Sequence, residues 1–398
     1  MTAGTDLLDG FDHVETAAEF RERVAVGRPL RVKLGIDPTS PDLHLGHMVV
    51  LHQLQRFAEA GHNVILIIGD FTARIGDPSG RNVTRPQLTR EEIEANMSAY
   101  REQAAKVLDL DRFEVRYNSE WLDALSLSDL VRLLAKTTVA QMLERNDFSE
   151  RYDSGTPISL HEFLYPVAQA YDSVAIAADV ELGGTDQLFN LLLGRHYQRE
   201  AGQPPQICAT VPLLVGLDGQ KKMSKSLGNY VGVTEPAAEQ FGKLMKIPDK
   251  LLPVYARYAA FRSRVETERL ATELAQGRAN PMEEKKRLAQ EVVARYHGGE
   301  AAAAARDRFE RTVQRREIPN GELEQIDVGD CKRVSDVLVK AGFAQSRREA
   351  ERLVSGNAVK IDGEPVRDVN ALWTASVPAV LSVGTRRFVR VLPNAAAS

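Results

Sequence analysis

Lys33-Leu-Gly-Ile-Asp-Pro-Thr-Ser-Pro-Asp-Leu-His-Leu-Gly-His47 is the stretch that organises this chain. Leu30 to Leu34, at its start, read as a short buried strand. Gly35 to Asp42 carry two prolines, one glycine and two aspartates, which is the composition of an irregular turn. From Leu43 the apolar residues fall at Leu43, Met48, Val49, Leu51, Leu54 and Phe57, the spacing of a helix. A strand therefore feeds a tight loop into a helix N-terminus, with His44 and His47 one turn apart. A helix start has unpaired N–H groups and a partial positive charge, so it seats anions, and two imidazoles there point to phosphate. Gly46 costs a helix roughly 1 kcal/mol against alanine, which makes sense if an adenine or ribose must approach the backbone. A pair of histidines can equally be surface decoration, and a metal would need a third ligand that no nearby motif supplies.

Outward from this stretch, Gly61 closes the helix and Asn63–Ile68 is a second, wholly apolar strand. Strand, helix and strand with apolar strands throughout imply a parallel sheet covered on both faces, an α/β fold. Ligands in such sheets lie beyond the strand C-termini, where Asp37–His47 and the loop from Gly69 to Arg85 both fall. Neither a Walker A loop nor Gly-x-Gly-x-x-Gly follows a strand, which disfavours P-loop and dinucleotide chemistry. Residues 14–25 read as a surface helix before the first strand, and Thr89-Arg-Glu-Glu92 caps a polar helix running to about Leu108. Residues 113–117 are expected to form a strand and 127–145 one or two helices.

Ser159–Val180 is apolar except for a few groups, and Tyr165, Gln169 and Asp172 form one stripe on a helix face. Polar groups set among apolar neighbours need partners, and a small ligand with an ammonium and a hydroxyl would satisfy them. Pro166 leaves the helix start open between the Ser159/Glu162 capping box and residue 166 itself. A strand end, Val180-Glu-Leu-Gly-Gly-Thr-Asp-Gln187, comes next, followed by an apolar strand expected over Ile207–Val215. That strand leads to Lys221-Lys-Met-Ser-Lys-Ser226 in a glycine-flanked loop. A cation about 4 Å from an anion gains about 4 kcal/mol at an effective dielectric near 20, so lysines here could hold a triphosphate. Such contacts speed the reaction only if they tighten in the transition state.

At 398 residues, 43% hydrophobic and 27% charged, the chain can hold two or three domains and is expected to be globular. A net charge of −4 argues against a surface that is basic throughout but allows a local basic patch. Cys208 and Cys331 lie far apart and indicate neither a disulfide framework nor a zinc ribbon. The N-terminus has no signal-peptide core, and Val64–Ile68 is too short to span a bilayer, so a soluble cytoplasmic protein with no membrane partner is expected. Ile318–Lys332 is the linker candidate, and the residues after it read as a separate small module with a Ser346/Glu349 capping box and an Asp362-Gly363 hairpin turn.

His44-Leu-Gly-His47 resembles the first signature of class I aminoacyl-tRNA synthetases, and Lys221–Ser226 resembles the second. Gly35–Thr39, Gly76–Gly80, Tyr165–Asp172 and Gly183–Gln187 are similar to tyrosyl-tRNA synthetases in particular, and the final module resembles the S4 RNA-binding domain. The resemblance implies a Rossmann-like parallel-sheet catalytic domain over 1–232, an α-helical domain over 233–317, a linker over 318–332 and an α+β S4 domain over 333–398. It implies tyrosine–tRNA ligase activity with ATP as substrate, Mg2+ carried on its phosphates, tRNA(Tyr) as partner and no protein-bound metal.

Carried over position by position, Asp37 and Thr39 would line the tyrosine and ATP sites, while His44 and His47 would hold phosphates and ribose. Gly35 and Gly46 would lie against ATP, Gly183 and Asp186 would contact its ribose, and Gln187 would lie near the reacting carboxylate. Asp77, Tyr165 and Gln169 would bind the tyrosine ammonium, and Asp172 its phenol. Lys222 and Lys225 would clamp pyrophosphate, with Arg81 standing where a lysine is familiar. Another branch of the family has a tyrosine and a small residue where this chain has Lys33 and Leu34, so a second phenol contact is not expected to carry over unchanged. Arg347, Arg348, Arg352 and Lys360 would meet the tRNA backbone, and the 113–150 region would lie at or near a homodimer interface. Rival readings are a tryptophanyl-tRNA synthetase, a nucleotidylyltransferase and an RNA-binding relative without catalysis.

Overall fold

The computed structural model describes residues 7–38, 43–79, 89–105, 108–311, 323–329, 331–374, 377–384 and 387–392. Thr39 and Arg81 lie outside these residues. The chain divides into two compact units, Met1–Gly299 and Glu300–Ser398.

The larger unit is built on a six-stranded sheet in the order β1-β6-β5-β2-β3-β4. Its strands are β1 His13–Glu15, β2 Arg31–Ile36, β3 Asn63–Ile68, β4 Phe113–Tyr117, β5 Val180–Gly184 and β6 Ile207–Val211. All neighbours are parallel except β1, which pairs antiparallel with β6. The chain moves outward from β2 to β3 and β4, then crosses back to place β5 on the other side of β2. A reversal of this kind opens a crevice at the C-terminal ends of the two strands flanking it, here β2 and β5.

β3 shows why the sheet is central. Val64 to Ile68 are all buried, each worth about 1.5–3 kcal/mol relative to exposure, so the strand has no solvent face to satisfy. On one side of the sheet Ile65 and Ile67 pack with Ile176 and Ala178 at the end of the helix Leu164–Ala175. That helix packs in turn on Leu188–Glu200 through Val167, Ala170, Leu193 and Tyr197.

Several boundaries differ from the sequence reading for local reasons. β2 runs to Ile36 instead of ending at Leu34, because parallel pairing continues through Gly35↔Ile67 and Ile36↔Ile68. The following helix spans Leu45–Glu59, with His44 as its N-cap rather than as a residue inside it. β6 stops at Val211, four residues early, since Pro212 has no N–H to give a ladder. Residues 13–15 form an edge strand, and the helix expected over 14–25 begins at Ala17. Between Ser159 and Val180 the capping box forms at the 3-10 turn Leu160–Phe163, and the α-helix starts at Leu164 with Pro166 in its first turn. The expected polar helix is Arg90–Ala104. From Ala237 to Phe309 the chain is mainly helical, including Pro281–His297 with the Asn280 cap and Gly298 stop that its sequence signals.

The smaller unit carries a five-stranded sheet with the helices Val334–Lys340 and Arg347–Ser355. Its core includes Val337, Leu338, Ala350, Val359, Leu381 and Val391. Asp362 and Gly363 both take positive φ, the conformation of a two-residue hairpin turn between Val359–Ile361 and Glu364–Pro365. Gln325–Asp327, inside the stretch read as a linker, is a strand parallel to Arg387–Leu392. Ser346 caps its helix by accepting from Glu349 N, but Glu349 reaches back to Gln345 N instead of closing the box on Ser346.

Candidate active site

A cavity of about 260 Å³ opens at the C-terminal ends of β2 and β5. Gly35 and Ile67, a register pair, and Gly183 lie in its floor. Asp37, His47, Asp77, Tyr165, Gln169, Asp172 and Gln187 line it as well, so all the residues expected to contact tyrosine meet in one place. Two residues ahead of the helix Leu45–Glu59 are bonded to the helix Arg90–Ala104: Asn96 Nδ2 donates to Pro38 O at 2.8 Å, and Gln103 Oε1 accepts from Leu43 N at 2.7 Å.

Asp172 projects from the helix Leu164–Ala175 and is buried. Trp121 Nε1 donates to its Oδ1 at 2.8 Å and Asn118 Nδ2 to its Oδ2 at 3.4 Å. Burial pushes its pKa up to about 7, against the Lys33 charge and the Trp121 and Asn118 hydrogen bonds. Tyr165, two turns earlier on the same helix face, donates to Asp37 Oδ2 at 2.8 Å, and Thr72 Oγ1 donates to Asp37 Oδ1 at 2.8 Å. Burial and then the Asp37 and Asp77 charges hold the Tyr165 phenol far above its ordinary range, so it stays a donor. A Cβ on Gly69 would stand 2.0 Å from Asp37 Oδ1, so only glycine lets Asp37 and Thr72 meet there.

Asp77 is fixed by a polar cluster. Its Oδ1 accepts from Ser79 N at 2.8 Å and Arg145 Nη2 at 3.2 Å, and its Oδ2 accepts from Gln187 Nε2 at 3.0 Å. Arg145 also reaches Asn190 Oδ1 at 2.9 Å and Ser79 Oγ at 2.6 Å, and Asn190 Nδ2 donates to both Gln169 Oε1 and Gln187 Oε1 at 2.9 Å. Carboxylate and amide oxygens thus crowd one end of the cavity, a setting that suits an ammonium.

The histidines sit at the helix start. His44 Nδ1 accepts from Gly46 N at 3.2 Å and His47 Nδ1 accepts from His44 N at 3.3 Å, which leaves the rings stacked at 3.8 Å. Burial lowers the His44 pKa to about 2 and the His47 pKa to about 4, helped in both cases by the Lys225 charge. Both rings are therefore neutral at pH 7 and act as hydrogen-bonding groups rather than cations. A Cβ on Gly46 would come within 3.0 Å of the His44 ring and 3.8 Å of Met223 Cβ.

Main-chain bonds tie the lysine loop to this helix start: Leu45 N donates to Val231 O and Val233 N to Leu43 O, each at 3.0 Å. Within the loop, Asn229 Oδ1 accepts from Ser224 N at 2.8 Å, and its Nδ2 donates to Asp218 Oδ2 at 2.8 Å and Lys222 O at 3.1 Å. Lys222 Nζ donates to Asp186 Oδ2 at 3.1 Å, and Lys225 Nζ lies 5.9 Å from the Tyr230 ring centre. The two signature stretches therefore face the same end of the sheet, with neutral imidazoles on one and ammonium groups on the other.

Lys33 does not line the cavity. It is wholly buried, and its Nζ is 3.0 Å from Glu181 Oε1, 3.0 Å from Gln169 O and 2.8 Å from Ser173 Oγ. Removing one partner of such a pair costs roughly 3–5 kcal/mol. Trp121, Asn118, Arg145, Asn190 and Glu181 were not singled out from the sequence. The available signal for Glu181 was a single acid inside an otherwise apolar strand, matched by Lys33 in another.

Comparison with known proteins decides the family. The model for class I tRNA synthetases (W and Y) matches residues 25–314, and the S4 domain model matches residues 332–372. The chain belongs to the class I tRNA synthetases of the W and Y type. The tyrosine–tRNA ligase of Thermotoga maritima is 50% identical over 373 residues, 94% of this chain and 93% of that one. That of Oleidesulfovibrio alaskensis is 50% identical over 387 residues, 97% of each. The Archaeoglobus fulgidus tyrosyl-tRNA synthetase, solved with L-tyrosine, shares the fold with a TM-score of 0.62 at 24% identity, over 75% of this chain and 97% of that one. The S4 match lies within the smaller unit and the family match covers most of the larger one and runs on to residue 314, and the expected fold class, a parallel sheet with an S4 domain, holds. Within the smaller unit Arg347, Arg348, Arg352 and Lys360 are all exposed, and Arg347 is engaged by Asp336. No helix among the described residues is long and apolar enough to cross a membrane.

Proposed function

We propose that the chain is a tyrosine–tRNA ligase. The observation that carries the tyrosine assignment is the buried Asp172 carboxylate, aimed by Trp121 and Asn118 at a cavity whose other end is lined by ammonium-binding oxygens. The phenol of tyrosine donates to Asp172, and its α-ammonium meets Asp77, Tyr165 and Gln169. Phenylalanine would bury the carboxylate with its cavity-facing acceptor site unfilled, and tyrosyl-tRNA synthetases are themselves the standard illustration of this discrimination.

In the first half-reaction a tyrosine carboxylate oxygen bonds to the α-phosphorus of ATP while the bond to pyrophosphate breaks. The carboxylate lies near Gln187. Neutral His44 and His47 hydrogen-bond phosphate and ribose, Gly35 and Gly46 allow close approach, and Gly183 and Asp186 contact the ribose. Lys222 and Lys225 balance charge on the departing pyrophosphate, whose Mg2+ arrives with ATP. In the second half-reaction a 3'-terminal ribose hydroxyl of tRNA(Tyr) attacks the tyrosyl carbonyl and AMP leaves. No protein nucleophile is required, and positioning with charge stabilisation carries the rate.

The expected division into a catalytic part over 1–232, a helical part over 233–317, a linker over 318–332 and an S4 part over 333–398 fits this activity. Arg347, Arg348, Arg352 and Lys360 contact the tRNA backbone. A homodimer is supported by the helix Leu127–Leu134, which buries none of its own residues while Leu127 is 78% and Val131 60% exposed. A cytoplasmic location accompanies the role in protein synthesis. ATP–pyrophosphate exchange measured across the amino acids tests the assignment, with exchange expected for tyrosine.

A further inference from the structure

Lys33 and Glu181 are register partners on β2 and β5, one row below the cavity floor formed by Gly35 and Gly183. Both are buried, and their bonding capacity is filled. All three Lys33 ammonium hydrogens are used, on Glu181 Oε1, Gln169 O and Ser173 Oγ. Glu181 accepts from Lys33 and Gln169 on Oε1 and from Ser173 and Gln206 on Oε2. Gln206 gives its amide nitrogen to Glu181 and Leu191 O, and its own Oε1 has no partner among the described residues. The amides around Glu181 thus turn nitrogen-first toward it.

Gln169 is the one among them that lines the cavity. Its Nε2 points at Glu181 Oε1, 3.1 Å away, which leaves its Oε1 on the side of Asn190, 2.9 Å away. A neutral amide can sit either way round, whereas a carboxylate only accepts, so the carboxylate decides the orientation. We propose that the Lys33–Glu181 pair is a positioning device that locks the Gln169 amide with its oxygen toward the α-ammonium of the amino-acid substrate. Lys33 holds the carboxylate in place from beneath, Glu181 takes the Gln169 N–H, and the Gln169 oxygen, which accepts from Asn190 through one lone pair, offers the other to the ammonium. With the amide reversed, two N–H groups would face a cation. This inference rests on the tyrosine reading of the same cavity, and it gives Lys33 a role without a direct substrate contact.

The test separates the ammonium from the rest of the substrate. Tyramine keeps the phenol and the ammonium, and 4-hydroxyphenylpropanoate keeps the phenol and the carboxylate. Dissociation constants of both are measured by calorimetry on the full chain. The exchanged pair Lys33→Glu/Glu181→Lys keeps the charge balance but presents a donor to Gln169. It is expected to weaken tyramine about tenfold or more, the size of a lost charge-assisted hydrogen bond, and to change 4-hydroxyphenylpropanoate by less than about threefold. Should the exchanged pair fail to fold, the uncharged Lys33→Met/Glu181→Gln, which leaves no ion at these two positions, is read by the ratio of the two constants, with tyramine expected to weaken about threefold more than 4-hydroxyphenylpropanoate. Equal losses for the two ligands, or no loss for tyramine, would overturn the proposal. If the unmodified protein shows no tyrosine-dependent pyrophosphate exchange, the tyrosine reading itself has failed; if it does, unselective losses refute the positioning role alone.

Discussion

Trp121 Nε1 donates to Asp172 Oδ1 at 2.8 Å, which fixes a buried carboxylate against the cavity that also gathers Asp77, Gln169 and Gln187. Replacing Asp172 with asparagine keeps an oxygen for Trp121 but puts an amide where the second oxygen was. Tyrosine activation should fall by roughly 10–100-fold in kcat/KM, the equivalent of about 1.5–3 kcal/mol for a hydrogen bond to a charged group. Selectivity over phenylalanine should fall with it. Steady-state exchange with the two amino acids reads both effects, and unchanged selectivity would contradict the phenol contact.

The same residue gives a pH prediction. Its pKa of about 7 in the folded chain lies above the ordinary aspartate value of roughly 3.9. A raised value means that the group's contribution to stability is full below about pH 4 and is lost as pH rises through about 7. Urea unfolding at pH 5 and pH 8 should therefore show the native protein losing stability relative to Asp172→Asn at the higher pH. A difference independent of pH would contradict it.

His44 and His47 are expected to stay neutral throughout the physiological range. Nitrogen NMR of the imidazoles should show no titration of either ring above pH 5, since burial lowers them to about 2 and about 4. His44→Asn, which keeps an acceptor for Gly46 N, should retain more activity than His44→Ala. A midpoint near 6.5 for either ring would refute the neutral assignment.

How much of this was legible beforehand depended on whether the information was local. The strand and the helix that flank the loop before His44 carry their own signals in composition and spacing, and both were read correctly to within a few residues. The stripe Tyr165, Gln169 and Asp172 follows from helical periodicity alone. What could not be read was set by contacts between distant segments. Arg145 sits in a charged loop until the fold brings it to Asp77, and nothing near Lys33 announces Glu181 as its partner. Parallel pairing of β2 with β5 creates that relationship, and sequence spacing does not encode it. The edge strands His13–Glu15 and Gln325–Asp327 are similar cases, since three residues offer too short a pattern to detect.

Lys225 should matter for chemistry more than for binding. Lys225→Ala is expected to slow adenylate formation in single-turnover measurements by about 100-fold or more, if its ammonium stabilises charge that builds on the leaving group. Tyrosine affinity should change by less than about threefold. Equal losses in both would contradict the clamp.

The exposed apolar helix Leu127–Leu134 should be covered by a second copy of the chain. Leu127→Glu/Val131→Glu is expected to shift the protein from dimer to monomer in analytical ultracentrifugation without lowering its melting temperature in proportion. A native protein that sediments as a monomer at micromolar concentration would contradict this.

The most direct test of the central claim is ATP–pyrophosphate exchange by the full chain with each of the common amino acids in turn. Tyrosine should support exchange and be transferred to tRNA(Tyr), with tryptophan and phenylalanine giving far less. Exchange supported by another amino acid while tyrosine gives none would contradict the account.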